Sequence, residues 1–413
     1  MKREPSSRPA DETAAGNLRG GIASGAVIAG ALWLAWQIVI VPVAVRAPPE
    51  TAIRIAPSAQ TTLRRAAESE LAAQRFDNAR ALAADTLSKA PFDVAALRVY
   101  GLTEARAPGS ADRADQLLTQ AGNWSLRDDP SHAWLVGQRL RQGNYASAFA
   151  HADTIARRIE DRQPAIFQLF TTAALSDSRS LGPLVRLLAI NPPWRSAYIQ
   201  SLVGRDEAAP LQAALAERLQ STDHPMTPVE LGTLYSTWLG KGRIAGIKEI
   251  RRRLNRPALG QMPTNGSFED ELAMGPLDWQ FESSPRFSVL MIQDDARPTQ
   301  TALRVEMRGD SDDMVAQQLL LLEPGRYRVA GEVRTELGQT PGVGWAVFCY
   351  ESGQRLGIQA TTPARQVWQG FRFEFEIPAS GCTAQWLRLS GRRESNSGDT
   401  VAWFDSMEIM SQP

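Results

Sequence analysis

The side chains best suited to chemistry are few. His132, His151 and His224 are scattered, and no HExxH spacing joins two of them to a metal. Two cysteines, Cys349 and Cys382, build neither a disulfide framework nor a four-cysteine zinc site. The 45 acidic residues offer no spacing that singles out a glycosidase pair. A nucleophile elbow, a P-loop and a dinucleotide fingerprint are absent. No catalytic residue is assigned, and the reading turns to binding. Trp386 and Arg388 stand out as ligand-binding candidates. They alternate with Leu387 and Leu389, so a strand would turn the tryptophan and the arginine to its polar side. An outward Trp beside an Arg suits stacking on a glycan; the alternative is a Trp covered by a loop. Cys349 and Cys382 form a disulfide if their strands are neighbours, and stay buried free thiols if not.

Those residues sit in a chain of 413 residues with 45 basic and 45 acidic groups. Zero formal charge argues against a general nucleic-acid binder. The balance hides an asymmetry: residues 58–260 carry +6 and 261–413 carry −8. The reversal near residue 260 coincides with a change of hydrophobic period, and a linker is expected at 257–264.

Gly20 to Val45 contains no charged residue. About 20 such residues span a bilayer core. One transmembrane helix over 20–45 is expected, after a cytoplasmic tail at 1–19 and before a Pro-rich stalk at 46–57. A cleaved signal peptide is the rival. The expected placement is the inner membrane, single-pass, with the bulk of the chain periplasmic or extracellular.

Residues 58–256 show helical spacing broken at Pro91, Pro130, Pro164, Pro192-Pro193, Pro210 and Pro225. Gln74-Arg75-Phe76-Asp77-Asn78-Ala79 and Gln142-Gly143-Asn144-Tyr145-Ala146-Ser147-Ala148 share a turn, an aromatic and a small Ala three residues on. Ser110 to Ala114 is a weaker copy. The pattern resembles the tetratricopeptide repeat, which implies stacked helix pairs and a protein-binding groove. The alternative is a spacer. Lys248, Arg251, Arg252, Arg253 and Arg256 read as a solvated helix end.

From 265 to 413 the period is two, as in Leu303, Val305, Met307 and in Phe371, Phe373, Phe375. The order Asn265-Gly266-Ser267-Phe268-Glu269, Pro324-Gly325-Arg326-Tyr327 and Trp403-Phe404-Asp405 resembles the jelly-roll carbohydrate-binding modules of the family 4 and 9 type. That resemblance implies a β-sandwich, a polysaccharide ligand and a structural calcium at Glu269 and Asp405. Trp279, Trp368 and Trp403 fall at motif positions and are read as packing.

The fold class expected is therefore multidomain: a transmembrane helix, an all-α tetratricopeptide-like solenoid and a C-terminal all-β jelly roll. The expected function is a non-enzymatic, membrane-anchored scaffold of the bacterial cell envelope, linked to polysaccharide synthesis or export. Its partners are proteins and a polysaccharide, with no nucleic acid and no required cofactor. The alternatives are an assembly or secretion chaperone using only the repeats, and a glycan-active enzyme.

Overall fold

The computed structural model describes residue 31 and residues 33–254, 262–272, 275–282, 284–308, 312–336, 343–360, 365–391 and 400–413. It forms two compact units, Met1–Ile159 and Glu160–Pro413.

The expected membrane-spanning helix is corrected first. Residues 1–30 and 32 of the chain lie outside the described residues. Among the described residues, no helix is long and apolar enough to cross a membrane. The described end of the apolar run is helical at 31 and 33–35, then a five-residue π-helix, Trp36–Ile40, then a six-residue α-helix, Val41–Arg46. Pro42 supplies a reason for the change of helix type. It has no N–H to give to the preceding turn, and its ring crowds the carbonyl four residues back. The single-pass inner-membrane placement falls with that helix. Within the expected stalk at 46–57, Pro49 opens the helix Pro49–Ile55, where a missing N–H costs nothing.

Beyond it the helices come in pairs. First helices begin at Gln60, Val94, Asp129, Gln163, Arg195 and Pro228, in steps of 32 to 35 residues. Each packs on the second helix of its pair, which begins at Phe76, Ala111, Tyr145, Leu181, Ala209 or Ile244. Four of the turns place a positive φ two residues before the second helix: Gln74 at 60°, Gly109 at 76°, Gly143 at 69° and Gly242 at 67°. Three residues into those helices stand Ala79, Ala114, Ala148 and Ile247, all at 0% exposure. A methyl side chain there lets two helix backbones approach closely. Phe76 and Tyr145 are half-buried beside them. Three pairs lie in the first unit and three in the second.

The expected linker at 257–264 falls mostly on residues outside those described. The last helix ends at Arg253. Of the basic cluster near it, Arg252 and Arg253 bond Glu249, and Lys248 bonds Glu323; Arg256 is outside the described residues.

The C-terminal part is a two-sheet β-sandwich. Its strands are β1 (Gln280–Phe281), β2 (Phe287–Asp294), β3 (Arg297–Met307), β4 (Met314–Leu320) and β5 (Gly325–Thr335). They continue with β6 (Val343–Cys349), β7 (Arg355–Ile358), β8 (Gln369–Ile377), β9 (Gln385–Gly391) and β10 (Thr400–Ser411). One sheet has the order β1-β4-β9-β6-β7, the other β2-β3-β10-β5-β8, and the named pairings are antiparallel. Between the sheets the rings of Phe268, Trp279, Trp345 and Phe404 follow one another at centroid spacings of 5.2 to 5.6 Å. In the same unit Tyr350 donates its hydroxyl to Leu239 O, 3.0 Å away in the helix Pro228–Gly240.

Candidate functional site

The two sheets differ in what their outer faces offer. On the first, Trp386 and Arg388 stand where the alternation predicts, opposite the fully buried Leu387 and Leu389. The face is not open there. Trp386 is only 9% exposed, and the Tyr350 ring lies 6.3 Å from it. Arg388 lies 5.6 Å over Trp386, and its Nε donates to Gln317 Oε1 at 3.0 Å. Burial pulls the Arg388 guanidinium below its ordinary range. The expected stacking platform is therefore covered. The alternation gave the side of the strand, but an alternation carries no information about what packs over that side.

The outer face of β2-β3-β10-β5-β8 is different. Its register sets Leu290, Arg304, Trp403 and Arg334 in one row across four strands, and Asp405 beside Glu332 in the next. Trp403 is 3% exposed and gives its indole N–H to Glu336 at 2.6 Å. Arg334 lies 4.9 Å over the Trp403 ring, and Arg304 lies 5.9 Å over it. The half-buried Trp368 comes from the approach to β8. Its indole N–H donates to Asp294 Oδ2 at 2.8 Å, and Arg334 donates to Asp294 Oδ1 at 2.5 Å. Arg297 covers Trp368 at 4.5 Å. The result is a fixed network in which Trp403 and Asp294 are buried and Trp368 is partly exposed. A sequence signal for this site existed. Trp403 alternates with Phe404, so only one of the two can face the core.

Asp405 and Glu269 lie at the edge of this face. Asp405 is 3% exposed; its Oδ1 accepts from Ser406 N at 2.6 Å, and Arg297 reaches Oδ2 at 3.3 Å. The same Arg297 nitrogen bonds Glu332 at 2.7 Å. Glu269 is exposed and accepts from Thr301 N at 2.9 Å. Burial raises the Asp405 pKa above the usual range. Nearby Glu332 and Glu269 push the same way, against Ser406 and Arg297. Arg297 thus serves both Glu332 and Asp405 through one nitrogen.

Cys349 and Cys382 form a disulfide, with Cα atoms 5.4 Å apart. The pairing of β6 with β9 brings them together, since Cys349 stands opposite Gln385. They lie with Glu351 as the one group of three or more potential metal-ligand side chains found among the described residues. Two of its three members are bonded to each other, which leaves no thiolate for a metal.

Folding also joins two of the scattered histidines. His132 Nδ1 and His151 Nδ1 are 3.0 Å apart across the helices Asp129–Arg141 and Tyr145–Ala156. Burial lowers both pKa values, His151 from 6.5 to about 4. Asp128 and Asp129 oppose the shift at His132, while Arg158 adds to it; Arg139 and His132 add to it at His151. A depressed folded-state pKa means that the unfolded chain binds protons first. The pair's contribution is complete above pH 6.5 and is lost as pH falls towards about 4. By pH 5 the His151 shift alone would raise the unfolding equilibrium constant about thirtyfold, and solvent screening of the partly exposed ring brings the expected rise to about tenfold. Denaturant titrations from pH 7.5 downwards, against His151→Gln, check this. Parallel pH profiles for the two proteins would remove the pair from the account.

No protein-family model matches the chain, and no curated protein matches it. Among solved structures, the chain is similar to a family 4 carbohydrate-binding module at 14% identity. The match covers 36% of this chain and 99% of that one, with a TM-score of 0.29. It is similar to the CBM22-1 xylan-binding domain of Xyn10C from Paenibacillus barcinonensis at 15% identity, covering 35% and 91%, with a TM-score of 0.28. A third is TmCBM61 in complex with beta-1,4-galactotriose, at 15% identity, 37% and 99% coverage and a TM-score of 0.27. What each of those proteins binds belongs to that protein.

Proposed function

We propose that this chain is a non-enzymatic scaffold with two binding parts. The sandwich takes a polysaccharide on the outer face of β2-β3-β10-β5-β8, and the helix pairs, tetratricopeptide-like in step and packing, take protein. The observation that carries the glycan reading is the fixed, partly exposed Trp368, held by Asp294 and covered on one ring face by Arg297. A rigid indole offers area at little entropic cost, and the neighbouring forks and carboxylates can bond hydroxyls. The test is a glycan array probed with the full chain. Trp368→Ala should weaken the captured polysaccharide by about tenfold, roughly 1.4 kcal/mol, the scale of a single aromatic contact. Trp386→Ala should leave affinity unchanged and lower the melting temperature, because a covered Trp contributes about 3–5 kcal/mol to folding. The reverse result, or no arrayed glycan bound, would end this reading.

A structural calcium at Glu269 and Asp405 belongs to the same proposal. The support is the buried Asp405 among negative neighbours. A cation bound only by the folded chain raises its stability by mass action. Millimolar calcium should raise the melting temperature by several degrees over a chelator control, and Asp405→Ala should abolish the difference. Equal melting with calcium and chelator would count against the ion.

A further inference from the structure

A groove in the first unit joins the start of the helix Gln60–Ala72 to the loops near residues 90–93 and 125–128. It has a volume of about 570 Å³, and its lining includes Gln60, Arg64, Phe92, Asp93, Ser125 and Asp128. Two independent observations point to an occupant.

One is apolar. Phe92 is 80% exposed and Trp124 is 41% exposed, with ring centroids 5.5 Å apart. Leu126, two residues on, is 64% exposed. Contiguous large apolar groups on a surface mark places where another molecule removes them from water.

The other is polar. Asp128 is only 5% exposed and lines the groove, yet its Oδ2 has no hydrogen-bond partner. Its Oδ1 is held by Arg98. Asp93 and Asp128 occupy equivalent places, each just before the first helix of a pair. Asp93 caps its helix by accepting from Ala96 N at 3.0 Å, whereas Asp128 makes no side-chain cap. A buried carboxylate oxygen left without a donor is costly, and an N–H or a cation relieves that cost. The local charge agrees. Glu68 and Asp128 share Arg98, while Asp93 has Arg64 at 3.7 Å, so three carboxylates face two guanidinium groups.

We propose that this groove receives a peptide segment of a partner protein, with an apolar side chain on Phe92 and Trp124 and an Arg or Lys donating to Asp128. The proposal rests on the reading that the helix pairs bind protein, and it gives that partner its chemistry. The probe is an array of short peptides that place one Arg or Lys near one Phe or Leu. Companion peptides carry Glu for the cation or Ser for the apolar residue. The full chain should bind the first class and not the companions. Asp128→Asn and Phe92→Ser should each weaken binding by about tenfold or more. Phe92 is so exposed that its substitution should leave melting unchanged, which keeps the test alive if Asp128→Asn folds poorly. Binding that survives both substitutions, or equal binding of the Glu peptides, overturns the groove and leaves the wider reading standing. No binding by any peptide of either class overturns both.

Discussion

Replacing Arg195 by Met should lower the stability of the second unit by about 3–5 kcal/mol, the cost of leaving a buried charge without its partner. Arg195 and Glu230 are 2% and 5% exposed, and they meet at 2.9 Å. The guanidinium also donates to Leu188 O at 3.2 Å, His224 O at 2.8 Å and Pro225 O at 2.9 Å. It therefore ties the helix Leu181–Ala189, the loop before Pro228 and the last helix pair to one point. Glu230 has a second task. Its Oε2 accepts from Thr227 N at 2.9 Å, while Thr227 Oγ1 accepts from Glu230 N at 3.1 Å, closing a capping box. Arg195→Met leaves Glu230 buried without its counter-ion and takes a donor from three carbonyls. Glu230→Gln should cost less, because an amide oxygen still accepts from Thr227 and from Arg195. A double-mutant cycle with Glu230→Met should show a coupling of about 1–3 kcal/mol. Denaturant melts of the full chain, followed by circular dichroism, give these numbers. A loss under about 1 kcal/mol for Arg195→Met would show that water reaches the pair.

The box at Thr227-Pro228-Val229-Glu230 is local in sequence, and a cap, a proline and a glutamate at fixed offsets carry their own mechanism. The Arg195 partner was not legible in the sequence, since nothing local links residues 35 apart. The same divide runs through the chain. Phe76 with Ala79 and Tyr145 with Ala148 revealed the helix pairs, because close packing demands a small residue at a fixed step. The copies at Arg195 and Pro228 keep the step and drop those residues, so helical spacing shows the pairs while the repeat signature does not. In the sandwich, period two placed strands such as Ala302–Arg308 and Phe371–Ile377, and the Asn265-Gly266 and Phe404-Asp405 motifs placed its ends. Trp386 shows the limit: its side of the strand was right and its cover was invisible. The apolar run at Gly20–Val45 shows another. Composition counted apolar residues, while in the described end of the run Pro42 perturbs the turn before it, where Trp36–Ile40 is a π-helix.

Gly266→Ala should destabilise the sandwich by about 3 kcal/mol or more, since the added atom meets backbone that cannot repack. A Cβ built on Gly266 would lie 2.0 Å from Met407 O, far inside any real contact. The clash falls on a junction held from several sides. Met407 N donates to Gly266 O at 2.8 Å, and Ile409 N donates to Met262 O at 2.8 Å, so the segment before the first strand is laced to β10. This happens where the pairing of β10 with β5 shifts register between Asp405 and Glu408. Asn265 closes the loop that follows: its Nδ2 donates to Asp270 O at 2.8 Å, and its Oδ1 accepts from Asp270 N at 3.1 Å. Its carbonyl accepts the indole N–H of Trp279 at 2.8 Å, and Phe268 stacks on that indole at 5.2 Å. A methyl group at residue 266 must push the segment off β10 and draw Phe268 and Trp279 from the core with it. Glu269 would move as well, so Gly266→Ala should also erase the rise in melting temperature that the proposed calcium site predicts. Gly204→Ala is the control, because a Cβ there meets nothing within 4 Å. If Gly266→Ala melts like that control, the segment is not anchored on β10, and the Asn265–Glu269 motif has no structural role of the kind described.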